Sequence, residues 1–250
     1  MGTGIAKVIA GIDLASLDER TATCRITWSD GRVTADDPVL GASDPELGEL
    51  IEVSDKVGID IPLGWPSLFV KAISAHHSRR PWPETGARER RLRFRVTDFV
   101  VREETGHWPL SVSSDLIGVP ALRAARLLSE MDVDRSGEGK LVEVYPAAAL
   151  RQWSLPPTGY KRSAGSSTRQ RLVDQFAKIT RPWLALSSEG WGACQASDDA
   201  FDALVAALVA LAKANDRCEP VPSEHQAEAR AEGWIALPHR DSLADLPRQP

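Results

Sequence analysis

The chain has 250 residues, 42% hydrophobic and 26% charged, with a formal net charge of −5. That balance belongs to a folded globular chain and excludes collagenous, coiled-coil and disordered classes, as well as a protein coated in basic residues for packaging nucleic acid. Cys24, Cys194 and Cys218 are widely spaced with no CxxC pair, which argues against a disulfide framework or structural zinc and for a reducing compartment. The N-terminus carries no signal-peptide pattern, and the longest apolar run, Ala203 to Ala212, is too short for a bilayer. The expectation is a cytoplasmic protein with no membrane partner.

Ala6 to Ile12 is a nearly continuous apolar run, suited to a strand buried on both faces, and it ends on Asp13. Thr21 to Trp28 alternates apolar and polar residues, and Ser29–Asp30–Gly31 then signals a hairpin returning through Arg32–Val33–Thr34. Ser43–Asp44–Pro45–Glu46 reads as a capping box opening a helix to about Val53. Lys56 to Ile61 is a second buried-strand pattern, stopped by Pro62. Three consecutive strands followed by an αβ unit predict a mixed sheet in an α/β domain.

Trp65 to His77 reads as a helix. The Arg-, Pro- and Gly-rich stretch from 78 to about 135 reads as an insertion or surface lobe, with an amphipathic helix over Pro120 to Met131 inside it. Lys140 to Tyr145 is a third buried strand. Ala147 to Trp153 and Thr168 to Leu186 look helical, with a break at Pro182. Ser197 caps a final helix to about Asn215, and residues 217–250 form a Pro- and charge-rich tail in which Gly233 to Leu237 fits a short docking strand. No linker divides the chain, so residues 1–250 read as one domain.

Gly11–Ile12–Asp13–Leu14 and Gly58–Ile59–Asp60–Ile61 place an aspartate at the same position of two buried strands, and the third carries Glu143 between valines. A carboxylate among apolar strand residues is costly unless it is paired or holds a cation. On neighbouring parallel strands, roughly 4.8 Å apart, Asp13 and Asp60 would repel each other, and a divalent ion relieves that repulsion. Asp198, Asp199 and Asp202 open the last helix; Asp202 shares a face with either predecessor, while Asp198 and Asp199 also fit plain first-turn roles. Hard oxygen ligands without histidine or cysteine favour Mg²⁺ or Mn²⁺.

Strand, hairpin, hairpin, helix, strand, with aspartates on the first and fourth strands and acids on a late helix, resembles the RNase H-like fold. Asp199–Ala200–Phe201–Asp202–Ala203–Leu204 resembles the D-x-x-D-A-L stretch of RuvC-type resolvases. The chain as a whole resembles domain of unknown function 429, a family of predicted RNase H-like nucleases. The matching pieces are Gly11 to Ala15, Gly58 to Pro62, Arg95 to Asp98, Gly159–Tyr160–Lys161, Glu143 to Ala147, Asp199 to Ala203 and Glu232 to Ile235. The resemblance implies a mixed five-stranded sheet flanked by helices and metal-dependent phosphodiester hydrolysis. In that chemistry two divalent ions about 4 Å apart activate water and stabilise the leaving oxygen. It implies Asp13 bridging both ions, Asp60 holding one, Asp202 and Asp199 completing the set, and Glu143 as an additional candidate.

The partner so implied is nucleic acid. Arg79, Arg80, Arg88, Arg90, Arg91, Arg93, Arg95 and Arg102, interleaved with Trp82 and Phe94, suit phosphate contact and base stacking as well as a solvated surface. Arg95, Thr97 and Asp98, where the family match falls, are the residues of this stretch expected near the acidic centre; Lys161, in a Gly- and Ser-rich loop, reads first as a flexible surface lysine and second as a candidate phosphate ligand. No nucleophile elbow, P-loop or Rossmann glycine fingerprint occurs. The alternatives are a nucleotide- or phosphate-binding protein of the related actin-like fold, for which Ser29–Asp30–Gly31 is the one phosphate-loop candidate, and a non-catalytic member.

Overall fold

The computed structural model describes residues 7–29, 31–86 and 89–247. The expected features at Ala6, Asp30 and Arg88 therefore lie outside the described residues. Among the described residues seven strands form one mixed sheet: β1 (Lys7–Asp13), β2 (Ala22–Ser29), β3 (Arg32–Ala35), β4 (Val39–Leu40), β5 (Lys56–Asp60), β6 (Leu141–Glu143) and β7 (Leu184–Ala185). Their order is β6-β5-β1-β2-β3-β7, with β4 also on β2. β1 pairs antiparallel with β2 and parallel with β5, and β6 and β7 join in parallel. The expected count of five is corrected to seven by two-residue edge strands. Segments that short carry no period a sequence can display, and β7 lies inside what reads as the end of a helix.

The helices are α1 (Asp44–Val53), α2 (Ser67–His77), α3 (Val96–Thr105), α4 (Gly118–Leu127), α5 (Pro146–Gln152), α6 (Ser166–Thr180), α7 (Ser188–Ala196), α8 (Asp198–Ala214) and α9 (Gln226–Glu232). The capping box before α1 forms, with the Ser43 backbone N–H donating to Glu46 Oε2 at 2.8 Å. Alternation along the strands sorts the core into two layers. Ala10, Ile12, Val57 and Ile59 face Leu47 and Ile51 of α1 and Ala121 and Ala124 of α4. The other face meets α8, which is buried from Ala200 to Ala212 and is backed by Leu172 and Phe176 of α6 and Trp191 of α7. A helix apolar on all sides is what such a central position requires.

Stretch 78–135 holds α3 and α4, and it docks firmly. Val101 packs with Ala148, Ile235 and Leu237. The Gly233 to Leu237 segment lies beside β6, where the Ala236 N–H donates to the Glu143 carbonyl at 2.9 Å. Among the described residues, no helix is long and apolar enough to cross a membrane.

Candidate active site

Asp13 and Asp60 are the last residues of β1 and β5, and they stand directly opposite each other across the parallel pair. Two residues earlier, on the same face, Gly11 stands opposite Gly58. A Cβ on Gly11 would lie 2.0 Å from the Ala203 carbonyl oxygen, and one on Gly58 would lie 2.1 Å from that of Ala206. Neither strand tolerates a side chain there, because the backbone of α8 rests on both glycines. That approach brings Asp202, one turn into α8, toward the ends of the two strands. The sequence spacing Gly-x-Asp thus encodes a contact and a carboxylate together.

Asp202 is fully buried. Its Oδ1 accepts a hydrogen bond from the Tyr160 hydroxyl at 2.7 Å. Its Oδ2 receives no aligned hydrogen bond, and Lys161 Nζ lies 2.7 Å from it as an ion pair. Burial pushes the Asp13 carboxyl well above the usual carboxylate range, reinforced by Asp60 and Asp202. Burial also pushes Asp60 up to about 7, against the opposing pull of Lys161. Asp202 is raised by burial while Lys161 and the Tyr160 hydroxyl oppose the shift. Burial alone would favour the neutral amine of Lys161, but Asp202, Asp60 and Asp13 hold its ammonium well above its ordinary value.

Three carboxylates face one ammonium, so full ionisation leaves the cluster two positive charges short. Neighbouring acids are accounted for separately. Asp199 is bound by both Nε and Nη2 of Arg20, at 2.7 and 2.8 Å, and Asp198 lies 3.7 Å from Arg169. Asp13, Arg20, Lys161, Arg162 and Asp199 line an open cleft of about 280 Å³ that leads to the cluster. The carboxyl ends of parallel strands are where open α/β sheets bind ligands.

The family model described as "Protein of unknown function (DUF429)" matches residues 11–227. The chain belongs to the DUF429 family. No curated protein and no solved structure matches the chain. The DUF429 match opens on Gly11 and spans Asp13, Asp60, Lys161 and α8.

Arg95, Thr97 and Asp98, expected as substrate contacts of this DUF429 chain, point into the protein. Arg95 is 1% exposed. Its guanidinium donates to both Glu143 oxygens, at 2.6 and 2.8 Å, and to both Asp98 oxygens, at 3.0 and 3.3 Å. Thr97 Oγ1 accepts from the Ile235 N–H at 2.9 Å. Glu143, expected as an additional catalytic candidate, also accepts from the Leu63 N–H at 2.9 Å. Burial still raises its carboxyl despite the arginine. These groups build a buried brace on the far side of β5 from β1, with their hydrogen-bonding capacity used internally. In the arginine-rich stretch, Phe94 is already stacked on Trp108 at 4.3 Å, leaving Trp82 as its exposed ring.

Glu232, which enters the sequence reading only as part of a family-matching piece, has a carboxylate that accepts from the first N–H of both α2 (Ser67) and α3 (Val96), each at 2.9 Å. Arg20 was missed as well. An arginine in a polar loop carries no signal of the aspartate it meets 179 residues later. Among the described residues, no group of three His, Cys, Asp or Glu side chains, as placed, forms a ready cage for a metal ion. The oxygen donors of Asp13, Asp60 and Asp202 are of the type that hard divalent cations take, and the buried Asp202 Oδ2 is already paired with the Lys161 ammonium.

Proposed function

We propose that this DUF429 chain is a divalent-metal-dependent nuclease of RNase H-like fold that hydrolyses phosphodiester bonds in nucleic acid. The observation that carries the reading is that Asp13 and Asp60 end neighbouring strands side by side, while Lys161, ion-paired to Asp202 of α8, lines an open cleft together with Asp13. Strands β3-β2-β1-β5-β6, three antiparallel and two added in parallel, fit the five-stranded core of that fold, with β4 and β7 as edge additions.

Asp13, Asp60 and Asp202 would hold Mg²⁺ or Mn²⁺. Once bound, divalent ions activate water and stabilise the charge that develops on the leaving oxygen. The chain's own residues do the rest. Tyr160 fixes the Asp202 carboxylate through Oδ1, while Oδ2 pairs with the Lys161 ammonium. Asp199, held by Arg20 at the rim, would join the ligand set only by giving up that pair. Arg20, Lys161 and Arg162 line the cleft, Arg20 and Lys161 paired with Asp199 and Asp202, and they are the cations there that a polyanionic strand would meet. The actin-like alternative draws less support, because Ser29 and Gly31 lie at the end of the sheet opposite Asp13.

The test is cleavage of single- and double-stranded DNA and RNA with Mn²⁺ or Mg²⁺, comparing the natural chain with Asp13→Asn. The reading expects metal-dependent cleavage that falls at least about 100-fold in the variant, in line with loss of a key charge-stabilising group. Cleavage that survives Asp13→Asn, or that proceeds in chelator, contradicts it.

A further inference from the structure

We propose that Lys161 is the resident counter-cation of the carboxylate site: a divalent ion loads by exchanging with its ammonium, which then turns into the cleft to meet a phosphodiester. The inference rests on the metal-site reading above and supplies its regulation.

Lys161 is ion-paired with Asp202 of this cluster, whereas Asp199 and Asp198 face Arg20 and Arg169. Its ammonium sits 2.7 Å from Asp202 Oδ2, a buried carboxylate oxygen that a metal ion would need. Ammonium and metal therefore compete for one atom.

The backbone around Lys161 is built to hold it there. Gly159 has φ +80°, and Arg162 takes the left-handed value φ 62°, which costs a non-glycine residue about 1 to 3 kcal/mol. Arg169 holds both sides of the lysine, donating to the carbonyls of Tyr160 at 2.8 Å and Arg162 at 3.1 Å. The Arg162 N–H donates to Asp198 Oδ2 at 3.1 Å. Tyr160 is buried edge-on against Phe201, ring centroids 5.9 Å apart. The backbone is pinned, whereas the Lys161 side chain is 51% exposed and lines the cleft. Rotation about its own bonds can carry the ammonium from the carboxylates to the cleft without moving the chain. An anion in the cleft offers the displaced ammonium a new partner, so metal and phosphodiester should each tighten the other's binding.

The test is calorimetric titration of Mn²⁺ into the full-length natural chain, Lys161→Met and Lys161→Arg, each with and without dimethyl phosphate as a diester anion. Lys161→Met is expected to bind Mn²⁺ at least about tenfold tighter than the natural chain, and Lys161→Arg to stay near it. Dimethyl phosphate should tighten Mn²⁺ binding in the natural chain and leave Lys161→Met unchanged. Mn²⁺ binding in the natural chain that Lys161→Met leaves equal or weaker overturns the exchange while the metal site stands. Absence of binding in all three proteins overturns both readings. Equal tightening by dimethyl phosphate in the natural chain and Lys161→Met overturns the turn into the cleft. Lys161→Gln, read by the same titration, replaces Lys161→Met if that variant fails to fold.

Discussion

Asp60 holds its proton up to about pH 7 because burial and neighbouring carboxylates disfavour its charge, whereas an unfolded chain releases it near 3.8. The folded state therefore binds the proton more tightly. Its advantage is complete below about pH 4, declines as pH rises toward about 7, and stays lost above that. Metal-free protein should lose stability over this window. Asp60→Asn, which has no charge to bury, should flatten the decline and exceed the natural chain above pH 7 by roughly 1 to 3 kcal/mol. Urea unfolding across pH checks this, and an equally steep decline in the variant would refute the assignment. The same protons compete with a divalent ion, so metal affinity should climb through the window in which stability falls.

Gly11 and Gly58 show how much of a site resides in elements rather than in ligands. Gly11→Ala would drive a methyl group into the Ala203 carbonyl at 2.0 Å, so α8 must lift or the strand must bend. A cost of about 3 kcal/mol or more is expected. The lost approach would also carry Asp202 away from Asp13, so thermal denaturation should show the loss and Mn²⁺ should restore little of it. A melting temperature equal to the natural chain's would show that α8 does not rest on that glycine. The paired Gly-x-Asp pattern, the capping box at Ser43 and the Ser197 start of α8 were legible because each depends on a few adjacent residues. The Arg95–Glu143–Asp98 brace was not, since its members are remote in sequence and their polarity reads equally well as exposure. One removal from such a buried set typically costs 3 to 5 kcal/mol, because the partners are left charged and alone.

The sheet turns from antiparallel to parallel pairing at β1, and that reversal places two strand-end aspartates side by side under one buried helix. Order along the chain made the mixed α/β sheet and the α8 carboxylate predictable. The edge strands β4 and β7, two residues each, were beyond reach because pairing at a sheet edge depends on tertiary neighbours rather than local pattern. DUF429 membership spans this whole arrangement, from Gly11 through α8. The account's central claim is that three acids, distant in the chain, form one divalent-metal site. The direct measurement is Mn²⁺ binding, by calorimetry, to the natural chain and to Asp13→Asn, Asp60→Asn and Asp202→Asn. Binding in the natural chain that weakens at least about tenfold in each variant is the predicted result. No binding at millimolar Mn²⁺, or variants that bind as well as the natural chain, would contradict it.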